Sequence, residues 1–263
     1  MPLTASDLPH RLERRVVIQA APEVVFRYFS DSERWAAWWG AGSSIDARPG
    51  GRVFIRYPNG VEASGEVVAV EAPSMIAFTF GFDSGTPMPA GASVVTFRLE
   101  PQGQATCLHL SHAFAEDATR DTHVQGWRYQ LSVFANVVAD VLHAEAARTV
   151  DDWFGAWSEP AADAREATLA RIASPDVGVR DRFSLVDGLA DLLPHLAAVH
   201  RFMPGLRLER EGDVRHCQGL VLADWVAVGA DGQPRSRGTN VFALAPTGLI
   251  TSVTGFWDPG GTS

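Results

Sequence analysis

The residues of this chain that could do chemistry are an aspartate, a histidine and two polar partners in its second half: Asp181, His200, Arg237 and Asn240. A carboxylate or an imidazole in a dry pocket acquires a shifted pKa and can act as a general base. The expected step removes a proton from a carbon next to a carbonyl group, while Arg237 or Asn240 stabilises the enolate oxygen. Asp181 and His200 are therefore the candidate catalytic residues.

Each of these residues also has a purely structural interpretation. Asp181 could pair with Arg180 or Arg182 on the surface, and His200 could be exposed beside the arginine that follows it. Arg237 ends a Gln-Pro-Arg-Ser-Arg segment that is typical of a solvated turn. The spacing alone leaves both interpretations open.

Aromatic and polar side chains in both halves are candidates for ligand binding, because small-molecule pockets are mostly apolar with a few polar groups. Trp38 and Trp39 are adjacent and face different directions on a regular element, so one should be the better pocket residue. Arg56 would hold a polar ligand group only if it faced inward, since a buried charge needs a partner. The full set of candidates is Trp35, Trp38, Trp39, Arg56, Phe78, Trp127, Trp153, Trp157, His216, Trp225, Arg237, Asn240 and Trp257.

The composition excludes several mechanisms and partners. All 22 basic residues are arginine, which rules out a lysine Schiff base and a phosphate loop that ends in Gly-Lys. The formal net charge of -9 argues against nucleic acid and anionic membranes. No cysteine or histidine spacing is typical of a metal site, so we expect no metal and no cofactor. No signal peptide or membrane-length apolar segment is found, which predicts a cytoplasmic protein.

The order of predicted elements differs between the two halves of the chain. At about 100–200 residues per domain, a length of 263 residues also favours two domains. In the first half, strands separated by turn signals precede a helix over residues 123–147. In the second half, helices precede a series of strands that includes residues 214–222 and 250–257. Such segregation predicts an α+β class in both domains, with the second sheet curved and antiparallel.

The first half contains a series of short motifs in a fixed order. These are Ile18–Phe26, Ser30–Trp35, Trp38-Trp39, Pro49–Arg52, Gly65–Val68 and Gly126-Trp127. In this pattern, residues 12–146 resemble the START-like (SRPBCC) superfamily of hydrophobic-ligand-binding domains, in the branch of activators of a heat-shock-protein ATPase. The resemblance implies an antiparallel sheet around a long C-terminal helix with a cavity between them. The name of the branch by itself does not imply a chaperone partner.

The second half carries a more degenerate set of motifs. They are Trp153–Trp157, Val186–Leu189, Met203–Leu206, Gly212–Val214, Trp225 and Gly248–Asp258. Residues 148–259 resemble the SnoaL-like polyketide cyclase group of the cone fold that is named after a nuclear transport factor. The resemblance implies an α+β cone around a pocket, and it is compatible with isomerases, dehydratases, cyclases and noncatalytic carriers alike.

Three functions remain open at this point. The first is noncatalytic binding of a small polyketide-, steroid- or lipid-like molecule in one or both cavities. The second is a cofactor-independent cyclase, isomerase or dehydratase that uses acid–base residues of the second domain, so whether the protein is an enzyme stays undecided. The third is a homodimeric interaction or regulatory module that associates through the sheet of the second domain, as an apolar outer sheet face would indicate.

Overall fold

The structure is a computed structural model that describes residues 3–259 of the chain. It divides into two compact units, Met1–Ala139 and Asp140–Ser263. Each unit combines helices with one sheet, which confirms the predicted α+β class. Among the helices of residues 3–259, none has the length and apolar character needed to cross a membrane.

The first unit is a seven-stranded antiparallel sheet with three helices. Its strands are β1 (His10–Ile18), β2 (Ser44–Ile45), β3 (Arg52–Arg56), β4 (Glu62–Glu71), β5 (Met75–Phe80), β6 (Ser93–Gln102) and β7 (Ala105–Phe114). Its helices are α1 (Pro22–Ser30), α2 (Ser32–Trp39) and α3 (Asp117–Leu142), and the unit boundary falls within α3. The strand order is β1-β7-β6-β5-β4-β3-β2.

Helix α3 supplies one buried side of the first unit, because its apolar residues recur at helical spacing. Trp127, Leu131, Phe134 and Val138 are all buried, and the ring of Trp127 contacts Phe97 on β6 at 5.8 Å between centroids. The helix begins six residues before the predicted start at His123 and ends at Leu142. A tight turn then leads into the next helix, so the predicted single run over residues 123–147 is divided.

The second unit has three helices followed by a six-stranded sheet. The helices are α4 (Ala146–Ser158), α5 (Ala162–Ile172) and α6 (Leu189–Phe202). The strands are β8 (Ala173–Arg180), β9 (Leu185–Asp187), β10 (Arg207–Cys217), β11 (Leu220–Val228), β12 (Pro234–Leu244) and β13 (Ile250–Trp257). Their order is β10-β11-β12-β13-β8-β9, and only β13 and β8 form a parallel pair among the described strands.

One predicted strand of the second unit is wrong. The sequence pattern predicts a strand over residues 214–222, but a hairpin turn divides it at Gln218 and Gly219. Both turn residues have positive φ, 50° and 85°. Two consecutive residues with φ > 0 make the kind of turn that matches the twist of a hairpin. Glutamine seldom adopts this conformation, so the sequence carried a weak turn signal here.

The alternation of side chains along β11, β12 and β13 decides which residues face the interior of the second unit. Ala223 and Trp225 of β11 lie directly across from Asn240 and Gly238 of β12. On the other side of β12, Gly238 pairs with Trp257 of β13 and Asn240 pairs with Gly255. These cross-strand neighbours form the floor of the site described next.

Candidate functional site

The second unit contains a cavity of about 780 Å³ between the inner face of its sheet and helices α4 and α6. This volume lies within the range of small-molecule sites. Its aromatic walls are Trp153, Trp157, Phe183, Trp225 and Trp257. The four tryptophans of this set are all predicted ligand-binding residues, and Asn240 and Asp181 also line the cavity.

Gly238 allows two tryptophans to meet across the strand that separates them. Trp225 and Trp257 lie on either side of it, with ring centroids 5.1 Å apart at 82°. A Cβ atom at Gly238 would come within 2.7 Å of the Trp225 ring and 2.2 Å of the Phe256 carbonyl oxygen. Trp225 donates its indole N–H to Asn240 Oδ1 at 2.9 Å. The glycine and the amide together fix the position of Trp225.

Gly255 allows the carboxylate of Asp181 and the amide of Asn240 to approach each other at the inner face of the sheet. A Cβ atom at this position would lie 3.0 Å from both Asn240 Oδ1 and Asp181 Cβ. The carboxylate of Asp181 accepts a hydrogen bond from the backbone N–H of Phe183 at 2.7 Å, which fixes the side chain in the loop after β8. The structure therefore places two of the predicted chemical residues, Asp181 and Asn240, beside each other.

Helix α6 presents His195, rather than the predicted His200, to the cavity. At 100° per residue, the two histidines point about 140° apart, so only one can face the wall. His195 Nε2 lies 3.1 Å from the hydroxyl of Ser184, which is also a wall residue. Burial, and next the charge of Arg165, lowers the pKa of His200, which is not among the wall residues. The predicted pair of Asp181 and His200 is thus not brought together.

Two other predicted ligand residues of the second unit lie outside the cavity walls. Arg237 projects from the opposite face of β12 and forms an ion pair with Glu211 at 3.0 Å. His216 Nδ1 lies 3.0 Å from the carboxylate of Asp140, and its Nε2 accepts a hydrogen bond from the Gly219 backbone N–H. Both nitrogens of His216 are therefore already engaged.

Two wall residues of the second unit's cavity have an unpaired polar atom. The indole N–H groups of Trp157 and Trp257 are buried and have no hydrogen-bond partner within residues 3–259. A buried donor without a partner costs free energy, so a ligand that carries an acceptor would recover that cost. No group of three or more side chains in this described range is arranged to hold a metal ion.

The first unit contains a separate cavity of about 520 Å³, called the first cavity below, and that of the second unit is called the second cavity. Trp38, Trp39 and Trp127, all predicted ligand-binding residues, line it together, so both adjacent tryptophans reach the same cavity. Helix α2 ends at Trp39, and the two rings pack with centroids 4.3 Å apart. The end of a short helix therefore presents both neighbours to the same space.

The other candidates of the first unit lie elsewhere. Trp35 and Phe78 are fully buried in the core, and Trp35 donates its indole N–H to the Phe54 carbonyl oxygen. Arg56 is half-exposed and pairs with Glu62 at 2.8 Å, so it does not face inward. None of the three contributes to the cavity wall.

A buried hydrogen-bond chain fixes the position of Trp127. Its indole N–H donates to Nδ1 of His112 at 2.9 Å, so the neutral ring must carry its proton on Nε2. That proton is directed to the hydroxyl of Ser93 at 2.7 Å, which donates to the Phe80 carbonyl oxygen at 2.8 Å. Burial, and next the nearby His123, lowers the pKa of His112 well below its usual value. His112 is not one of the predicted site residues.

Residues 19–139 match the family model described as "Activator of Hsp90 ATPase homolog 1-like protein". No curated protein matches the chain. Similar solved structures include a SnoaL-like family protein from Agrobacterium tumefaciens, with 21% identity over 45% of this chain and 99% of that one and a TM-score of 0.42.

Two more similar structures are an Aha1 dimer and CalU16. The Aha1 dimer from Colwellia psychrerythraea has 16% identity over 49% of this chain and 96% of that one, with a TM-score of 0.42. CalU16 from Micromonospora echinospora has 23% identity over 50% and 78%, with a TM-score of 0.42. The chain carries an AHSA1-like domain at residues 19–139, as its first half predicted.

Proposed function

We propose that the second unit binds a small, largely apolar molecule of the polyketide, steroid or lipid kind. The observation that carries this proposal is the 780 Å³ cavity with four tryptophans in its wall. Burial of apolar ligand surface supplies the affinity, at about 25 cal/mol per Å². The unpaired indole N–H groups of Trp157 and Trp257 would orient an acceptor on the ligand.

We further propose that the two units correspond to the domains expected from the sequence. Residues 12–146 would form the START-like domain and residues 148–259 the SnoaL-like cone. The tight turn after α3 and the change from an all-antiparallel sheet to one with a parallel pair support this division. A substitution in one unit would then change ligand binding in that unit alone.

The test uses Nile red, an uncharged apolar dye whose emission rises in apolar surroundings. Ala227 lines the second cavity and is 3% exposed, whereas Ala243 lies on the opposite face of the same sheet. Ala227→Trp would fill the cavity and weaken dye binding at least about tenfold, which corresponds to roughly 1.4 kcal/mol. Ala243→Trp, the matched control, would bind the dye like the unsubstituted protein. Equal affinities for all three proteins would show that the second cavity is not the site.

A second candidate function is acid–base catalysis on the bound molecule, as a cyclase, isomerase or dehydratase that needs no cofactor. The convergence of Asp181 and Asn240 on Gly255 favours it, because a carboxylate base and an amide donor would then face the same ligand carbonyl. Asp181→Asn would stop exchange of an acidic C–H of the extracted ligand with deuterium from heavy water, while binding persists. Exchange at an unchanged rate would remove Asp181 as the base.

The third function, association through the outer face of the sheet, gains no support from the described residues. That face carries charged pairs, Arg215 with Asp224 and Arg237 with Glu211, instead of a continuous apolar surface. A homodimer stays a prediction, and sedimentation of the full chain over a concentration series would test it.

A further inference from the structure

The cavity of the first unit differs from an ordinary apolar pocket in the chemistry of its walls. Within residues 3–259, no aspartate, glutamate or arginine lines it. The titratable side chains of the wall are His123, Tyr57 and Tyr129. Burial raises the pKa of Tyr57, which therefore keeps its proton. A charged ligand would find no counter-ion here and would lose its hydration, which costs several kcal/mol.

His123, a wall residue of this cavity, carries an unpaired hydrogen-bond acceptor. Its Nδ1 lies 2.7 Å from the carbonyl oxygen of Thr119, one helical turn earlier on α3. A carbonyl oxygen only accepts, so Nδ1 carries the proton and Nε2 keeps a lone pair. Burial lowers the pKa of His123, which keeps the ring neutral. The Nε2 atom is buried and has no partner among the described residues.

Trp39 offers the complementary donor. The residue is 3% exposed and lines the same cavity, and its indole N–H is also without a partner in the described part of the chain. Its ring packs edge-to-face against Tyr57 and Trp127, at 5.8 Å and 5.7 Å between centroids. Phe82 stacks on Tyr57 and lies 5.9 Å from His123, so the two unpaired atoms belong to one continuous aromatic wall.

We propose that this cavity binds an uncharged aromatic molecule with a hydroxyl group, whose O–H donates to His123 Nε2 while an acceptor on the ligand meets the N–H of Trp39. A site that is built to hydrogen-bond a hydroxyl discriminates strongly against an analogue without it, because the buried protein atom is then left unpaired. The inference concerns the first unit alone and does not rest on what the second cavity binds.

Calorimetric titration of the full chain with three matched probes tests the proposal. 2-Naphthol has the hydroxyl, 2-methoxynaphthalene retains the oxygen but lacks its proton, and 2-naphthoate is charged. We expect 2-naphthol to bind about tenfold tighter than the methyl ether, with the carboxylate weakest. Equal affinity of 2-naphthol and its ether would overturn the proposal, as would failure of all three probes to bind.

Variants show whether the preference arises in the first cavity. His123→Phe removes the acceptor among aromatic neighbours and would erase the preference for the hydroxyl. His195→Phe, the matched histidine change in the second cavity, would leave it intact. The preference would also persist in Ala227→Trp, in which the second cavity is filled, so its loss there would assign the probe to the other unit. If His123→Phe does not fold, as thermal unfolding would show, the three-probe comparison on Ala227→Trp still decides.

Discussion

The two cavities of this protein share an aromatic wall and differ in their charges. The wall of the first contains no ionised side chain within the described residues, whereas Arg180, Asp181, Asp231 and Arg235 border the second. Asp231 and Arg235 form an ion pair at 2.7 Å and are about half exposed, which places them at the rim. Under the two proposals above, both cavities bind apolar molecules. The difference in wall charge then predicts an uncharged ligand for the first cavity and a ligand with a reactive polar group for the second.

The cavities also differ in how their polar groups are fixed. In the first unit, hydrogen bonds fix these groups. The carbonyl oxygen of Thr119 sets the tautomer of His123, and His112 accepts the indole N–H of Trp127. In the second unit, the hydrogen bonds of Asp181 and Trp225 act together with Gly238 and Gly255, which leave room for the neighbouring side chains. We therefore expect the second unit to be the more sensitive to substitution of a glycine, and the first unit to protonation of a buried histidine.

The largest effect is expected from Gly238→Ala in the second unit. The added methyl group would meet a backbone carbonyl at 2.2 Å and the Trp225 ring at 2.7 Å, and neither is the end of a flexible side chain that could turn aside. We expect the free energy of unfolding to fall by about 3 kcal/mol, the upper end for overpacking. Urea denaturation followed by circular dichroism measures it.

Gly178→Ala is the control for that substitution. Gly178 also lies in a strand of the second unit, but a Cβ atom there would have nothing within 4 Å. Its cost should stay within about 0.5 kcal/mol, as for most substitutions away from tight contacts. Similar losses for both variants would contradict the role given to Gly238.

The next effect is a loss of stability at acid pH that originates in the first unit. His112 has a pKa well below 6.5 when folded, because of burial first and His123 second, whereas an unfolded histidine takes up a proton below about pH 6.5. The unfolded chain then binds more protons, so the free energy of unfolding falls as the pH drops below about 6.5. The slope for this group is at most about 1.4 kcal/mol per pH unit, and the contribution is fully retained above about pH 7.

His112→Gln separates this contribution from the rest. The glutamine amide can accept from Trp127 and donate to Ser93 like the neutral imidazole, but it does not titrate. Urea unfolding of the full chain between about pH 7 and about pH 5 should show a shallower decline for this variant. An unchanged decline would mean that other groups, such as His143 and His200, whose pKa values are also lowered by burial, carry the effect.

The smallest effect is expected from Arg237→Gln. Its ion pair with Glu211 is about half exposed on both sides, and such pairs contribute roughly 0–1 kcal/mol. Nile red affinity should not change, since Arg237 faces away from the cavity. A clear loss of dye binding would restore Arg237 as a ligand residue and would argue against the orientation of β12 described above.

Much of the fold could be predicted because periodicity and turn residues are local signals. The Asn59-Gly60 hairpin joins β3 to β4 as expected, and the apolar stripe of α3 is buried. The turn at Gln218 was missed because glutamine rarely adopts positive φ, and that conformation comes from the pairing of β10 with β11.

The sites were predicted less completely, because a residue type does not say where its side chain points. The tryptophans of the second cavity were predicted from their aromatic type and their place in the motifs of the second half. His195 was overlooked in favour of His200, although helical spacing from His195 to Val199 places both on one wall. Gly238 and Gly255 carried no signal, since their role depends on the cross-strand register.

The most direct test of the second cavity as a ligand site is native mass spectrometry of the full chain purified from its own host, followed by denaturing extraction. We predict one apolar molecule per chain that is lost in Ala227→Trp and retained in Ala243→Trp. Protein that carries no such molecule, or one that Ala227→Trp retains in full, would contradict the account.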